Sequence, residues 1–334
     1  MSWLNERGYV FGKAAQAQIP KLVGEGYAEA AAALLITKPK VIEASEEVSR
    51  VPSEAGLIEG VLAIGDAQIL AATSVTERSV WMRVAEQDWI KMVPQGASDL
   101  SGIVQDPNGQ MAWVASGNLD SSDDQAAPFS GLIGLTSDPD NPKRLPTPDG
   151  ATVSDLSVSN EGVVFASSPT GGGLYKKAPG ALTLETLIEP GVFRSPQGSA
   201  PSEDGNRLYV SDYRYGLAIV DLASGTVSRL ESDVPALLDG VDGLWLHNGE
   251  LIGVQNGTSP MRISAMRLSE DGSRIIGVRI LEQAHPEWTE PLGGSVAQGA
   301  FYYVANGQWD RYEKGVLKEG FDPQPTIIRR LPLD

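Results

Sequence analysis

Residues 237–257 read LLDGVDGLWLHNGELIGVQNG. An alternating apolar run after Gly243 and the run ELIGVQ read as two short strands, and the turn between them carries the polar set His247-Asn248-Gly249-Glu250, whose Asn-Gly pair is a strong short-range hairpin signal. The hairpin opens on an acid followed by glycine, Asp242-Gly243, placed ahead of the first strand instead of in its turn. Five other segments open in a similar way: LIEGVLAIGDAQILAATS, LSGIVQDPNGQMAWVASG, VSDLSVSNEGVVFASSP, PQGSAPSEDGNRLYVSDY and LGGSVAQGAFYYVANGQ. Their opening pairs are Glu59-Gly60, Ser101-Gly102, Ser154-Asp155, Gln197-Gly198 and Gly293-Gly294, and neighbouring pairs stand 42 to 53 residues apart. Further strands follow each hairpin, giving about four per unit, the size of one propeller blade. Six units fill residues 50–334, so the expected fold is all-β, a six-bladed β-propeller. The segment 38–50 is expected to close the ring against PTIIRRLPL in the last unit. A β-sandwich with a second domain is the alternative, and the regular spacing opposes it.

The stretch before this pattern has a different texture. Residues 1–37 are alanine-rich and suit one or two short helices, with Pro20 separating them or starting the second. The expected division is a helical extension over 1–37 and the propeller over 38–334.

Composition narrows the function classes. Of 334 residues, 43 are Asp or Glu and 26 are Lys or Arg, a formal charge of −17. Phosphate contacts need basic side chains, so a nucleic-acid partner is not expected and a small molecule is. There is no cysteine, which excludes disulfides, thiolate metal sites and cysteine nucleophiles. No stretch is apolar for long enough to span a bilayer. The start MSWLNERGYV lacks the charged and apolar regions of a signal peptide, so the cytoplasm is the expected compartment, or the periplasm or exterior if a leader was removed. The sequence contains neither GxSxG, HExxH nor GxxxxGK, and its two histidines, His247 and His285, are not at metal spacing.

In a propeller the first strand of each blade lines the central channel, and the residue that opens it lies at the channel mouth. The openers here are Glu59, Ser101, Ser154, Gln197, Asp242 and Gly293. Glu59, Asp242 and the amide oxygen of Gln197 converge from different blades. Oxygen donors of this kind suit a hard divalent cation, calcium first, with zinc, manganese and magnesium as other candidates.

The segments LIEGVLAIGDAQIL, SPQGSAPSEDGNRLYVSDYRYGLAIVDL and VDGLWLHNGELIGVQNG resemble matching segments of the senescence-marker-protein/gluconolactonase/luciferin-regenerating-enzyme family. The resemblance covers roughly residues 55–310. It implies a six-bladed propeller, a metal held by Glu59, Gln197 and Asp242, and Asp242 as the general base of a lactonase. Gln197 stands where the family has asparagine, Ser154-Asp155-Leu156 replaces its substrate-binding Asn-Asp-Gly, and Thr152 falls where many family lactonases carry arginine. An acidic sugar recognised through that arginine is therefore not expected. The same blade pattern occurs in strictosidine-synthase-like, paraoxonase-like and NHL-type proteins, and it specifies fold better than activity.

The expected function is a metal-dependent hydrolase of a small lactone or ester, with Asp242 as base and Ser154, Asp155, Asn256, His285 and Trp309 near the substrate. A non-catalytic ligand- or protein-binding propeller and a strictosidine-synthase-like enzyme remain the alternatives. Asp120, Asp123 and Asp124 form an acidic loop, read as solvated with calcium capture as the minor possibility.

Overall fold

Strands of four to seven residues that alternate between two apolar faces must bury both faces, and a ring of sheets standing face to face does so. The computed structural model describes residues 1–35, 38–109, 111–119 and 129–334, so Asp120, Asp123 and Asp124 lie outside the described residues. It is a six-bladed propeller with a short N-terminal helical stretch.

The first strands of the six blades are Ile58–Ile64, Asp99–Gln105, Asp155–Val158, Pro196–Pro201, Leu244–His247 and Gly294–Ala297. Each pairs antiparallel with the strand that follows it, and blades one to five continue outward as antiparallel meanders, with the short strand Glu231–Ser232 added parallel at the outer edge of blade five. Blade six is completed from the other end of the chain: Glu46–Val51 pairs antiparallel with Thr326–Pro332, so its sheet joins both termini of the propeller. The ring closes through main-chain hydrogen bonds as the sequence leads one to expect. Buried Glu282 reinforces the closure by accepting from Ser45 Oγ at 2.7 Å and from Tyr303 OH at 2.7 Å.

Apolar side chains form one cluster at each of the six blade interfaces among the described residues. Successive residues of a second strand belong to different interfaces: Leu70 and Ala72 face blade six, while Ala71 faces blade two. This two-sided burial explains why the second strands read as nearly unbroken apolar runs instead of alternating with polar residues.

The opening pairs have a specific backbone form. In blades one, two and four the register slips at Glu59-Gly60, Ser101-Gly102 and Gln197-Gly198, where two residues oppose one on the partner strand. In blade five Asp242 N donates to Val254 O at 2.8 Å, and Val254 N donates to Gly243 O at 3.0 Å, again two residues against one. These are β-bulges, which re-aim a side chain at the rim of a sheet. Blade six shows the same pairing one residue earlier than the sequence suggests: Leu292 N donates to Val304 O at 2.9 Å and Val304 N to Gly293 O at 3.3 Å. Its opener is Leu292, not Gly293. With two consecutive glycines, the sequence could not say which one fills the bulge.

In four of the pairs the glycine, Gly60, Gly102, Gly198 or Gly293, lets neighbouring inner strands touch. Gly102 N donates to Ser154 O and Gly198 N to Asp242 O, each at 2.7 Å, across blade boundaries. A Cβ on Gly102 would lie 2.8 Å from both Ser154 O and Leu156 N, and one on Gly60 would lie 2.7 Å from Ser101 O. Only blade three lacks a glycine in its pair, with Asp155 in that position.

The N-terminal helices are Ser2–Asn5, Lys13–Leu22 and Ala28–Leu35. Pro20 sits inside the second, near its end, and neither separates nor starts a helix. No described helix is long and apolar enough to cross a membrane.

Because the atoms that a Cβ at Gly102 would strike are backbone, no side-chain rotation relieves the clash. Gly102→Ala is expected to cost about 1–3 kcal/mol in denaturant unfolding. Gly26→Ala, with nothing within 4 Å, should be close to neutral.

Candidate functional site

The bulges point the six openers at one end of the channel. Glu59, Ser101, Ser154, Gln197, Asp242 and Leu292 all line a funnel of about 290 Å³ there, with Thr152, Tyr213, Asn256, Glu290 and Trp309 among its walls. Below it the channel narrows to a waist of about 40 Å³, which Asp155 enters because blade three lacks the glycine. The opposite mouth is roomier, about 500 Å³, but its walls are mainly serine, amide and apolar groups, and two of the serines, Ser157 and Ser199, hydrogen-bond each other at 2.7 Å. Chemistry that needs converging charge belongs at the smaller mouth.

Four carboxylates meet there: Glu59, Asp155, Asp242 and Glu290. None of the described residues lining the funnel or the waist is lysine, arginine or histidine. Trp309 Nε1 donates to Glu59 Oε2 at 2.6 Å, fixing that side chain from the segment after the second strand of blade six. Asn256 Nδ2 donates to Asp242 Oδ2 at 2.7 Å, and Asn256 Oδ1 accepts from Tyr213 OH at 2.9 Å, which settles the orientation of the amide. Asp242 Oδ1 receives no hydrogen bond from a described residue. Asp155 Oδ1 accepts only from the adjacent Leu156 N, at 2.8 Å. Ser154 Oγ is buried and has no hydrogen-bond partner among the described residues.

Burial without countercharge disfavours ionisation, and the four acids show it. Desolvation lifts Glu59 well above the usual carboxylate range, Asp242 adds to the shift, and the Trp309 N–H opposes it. Desolvation lifts Asp155 to about 7; the Leu156 N–H opposes this and Asp242 adds to it. Asp242 itself rises to about 6 through desolvation, held down by the Asn256 amide. Glu290 rises to about 7 through desolvation and the neighbouring Asp242 and Asp310.

Of the residues singled out in the sequence, Glu59, Gln197, Asp242, Ser154, Asn256 and Trp309 share the funnel, and Asp155 lies in the waist beneath. His285 is elsewhere. Its ring is buried 5.9 Å from that of Trp288, with Nε2 3.9 Å from Glu282, beside the core shared by blades five and six. A short turn, Trp288 N to His285 O at 3.1 Å, keeps it against the sheets instead of over the channel. Tyr213 and Glu290 went unremarked in the sequence. Both sit in connections that carry no periodicity; Glu290 shows only as an acid three residues ahead of the last glycine pair.

Oxygen is the only donor type this mouth offers. Among the described residues no group of three or more His, Cys, Asp and Glu side chains stands in metal-holding geometry. Glu59 and Asp242 supply two carboxylates, and the Gln197 amide is one further oxygen donor beside them, its Nε2 donating to Ser195 Oγ at 3.3 Å.

No protein-family model matches the chain, and no curated protein matches it. Solved structures do. A gluconolactonase from Xanthomonas campestris superimposes with a TM-score of 0.55 at 14% identity, covering 88% of this chain and 96% of its own. A calcium-binding regucalcin from Agrobacterium tumefaciens gives 0.55 at 14%, covering 85% and 93%. The pyrroloquinoline-quinone-bound aldose sugar dehydrogenase of Streptomyces coelicolor gives 0.56 at 11%, covering 87% and 97%. The likeness to gluconolactonase-type propellers read from the sequence thus extends to the fold. At such identities it establishes the fold alone, and the names of these three relatives point to different chemistries.

The raised acids set a sign for stability against pH. Asp155, Asp242 and Glu290 bind protons more tightly folded than unfolded, so their contribution is full below about pH 4 and is lost as pH rises toward about 7. The melting temperature of EDTA-treated protein should fall over this window, and Asp155→Asn should flatten the slope. An unchanged slope in that variant would contradict the assignment.

Proposed function

We propose that the protein is a metal-dependent hydrolase of small lactones or esters, working at the Glu59–Asp242 mouth. The observation that carries this reading is a set of half-buried, desolvated carboxylates with no basic side chain among the described residues that line the funnel and waist. Such a set is costly unless a cation arrives, since each buried charge pays its desolvation without a partner. The all-oxygen donor set suits a hard ion, with calcium the first candidate. Glu59, Gln197 and Asp242 would hold it, Glu59 through the oxygen opposite the one that Trp309 engages, and Gln197 through Oε1 while Nε2 donates to Ser195 Oγ. A bound divalent cation supplies Lewis acidity, polarising the carbonyl of a lactone or ester.

The chain's own groups supply the rest. Asp242 Oδ1 takes the proton from the attacking water as the new C–O bond forms, and returns it to the alkoxide oxygen as the lactone or ester C–O bond breaks. Asn256 and Tyr213 hold Asp242 in place through Oδ2. Ser154 Oγ, buried without a partner, is available to donate to the substrate. Thr152, in the funnel wall, offers no positive charge, so a carboxylate-bearing substrate has no anchor here. The gluconolactonase likeness is consistent with this chemistry.

Asp242→Asn preserves shape and removes the base. Assayed with calcium against a panel of five- and six-membered lactones and aryl esters, it should lower kcat by about 100-fold or more. Wild-type protein that turns over nothing above the variant's background would overturn the hydrolase and leave a binding propeller.

A further inference from the structure

This mouth holds more carboxyl groups than one divalent ion would engage. Such an ion offsets Glu59 and Asp242; Asp155 and Glu290 remain, and neither forms a salt bridge among the described residues. Glu290 lies further out than the others, lining the funnel but not the waist, and its carboxylate accepts no hydrogen bond from a described residue. The two aromatic residues of that wall have already committed their polar ends: Trp309 Nε1 to Glu59, and Tyr213 OH to Asn256. What they leave for a guest is ring surface. The unpartnered, buried Ser154 Oγ deeper in the same cavity marks it as built for a ligand with polar groups. Aromatic surface beside an uncompensated carboxylate is the composition that recognises an organic cation.

We propose that Glu290, with Trp309 and Tyr213, holds an ammonium group of the substrate, so that the funnel selects small molecules carrying a protonated amine or quaternary ammonium. This rests on the reading of the same mouth as a small-molecule site. Glu290 is then the specificity residue: Asp242 acts at the ester, and Glu290 at the far, charged end of the molecule.

The test separates recognition from turnover by using a probe with no bond to hydrolyse. Binding of choline and of its neutral carbon isostere, in which carbon replaces the charged nitrogen, is measured by calorimetry on calcium-loaded protein. Wild type should bind choline about tenfold more tightly than the isostere. Glu290→Gln, with an unchanged melting temperature, should bring the two within about twofold. Equal affinities in wild type, no binding of either probe, or a preference that survives Glu290→Gln would each overturn the proposal. A parallel assay with a choline ester and its isosteric neutral ester keeps the two readings apart. Intact choline preference without hydrolysis of either ester supports the ammonium site and counts against the hydrolase. Hydrolysis of both with equal KM supports the hydrolase and overturns the ammonium site.

Discussion

Everything at the candidate site depends on how closely the inner strands approach one another. Backbone meets backbone across the blade boundaries, with Gly102 against Ser154 and Gly198 against Asp242 at hydrogen-bond distance. Such contact requires glycine on the approaching strand, because a Cβ would occupy the neighbour's carbonyl or amide. The bulge that carries each glycine turns the preceding side chain into the channel mouth. Close packing of the ring and convergence of the openers are thus one geometric fact. Blade three shows the converse: where Asp155 replaces glycine, a second side chain enters the waist.

Convergence is electrostatically expensive. Glu59 and Asp242 line both the funnel and the waist, Glu290 the funnel and Asp155 the waist, with no base among the described lining residues, and desolvation drives all four toward the protonated form. Natural cores avoid such arrangements unless the charge has a use. The hydrogen bonds around them hold position more than they neutralise: Trp309 holds Glu59, while Tyr213 and Asn256 hold Asp242. A divalent ion would offset Glu59 and Asp242 and an organic cation Glu290, while desolvation favours the protonated form of Asp155.

The fold was legible because its determinants are local. Opener, alternating strand, turn and second strand recur at blade spacing, and the turn chemistry punctuates them. Closure by the segment 38–50 against PTIIRRLPL was legible too, and the strand that makes it is Glu46–Val51. The register at Leu292 was not, because consecutive glycines are equivalent until the pairing to Val304 is seen. At the site, the openers could be read from the repeat, but Tyr213 and Glu290 could not: they sit on connections whose paths are set by packing between blades. His285 failed for the same reason, since nothing local says whether a loop leans over the channel or back against the sheets. The departures at Gln197, Ser154 and Thr152 are legible as residue types, and their consequences appear only with the cavity around them.

Lanthanide luminescence tests the central claim most directly, because Trp309 donates its indole N–H to Glu59 and so lies beside the proposed ion. Terbium added to metal-free protein should give tryptophan-sensitised emission that saturates at one ion per chain. Calcium should quench it competitively, and Asp242→Asn should weaken terbium binding at least tenfold. No sensitised emission, or emission indifferent to both calcium and Asp242→Asn, would contradict a cation site at this mouth.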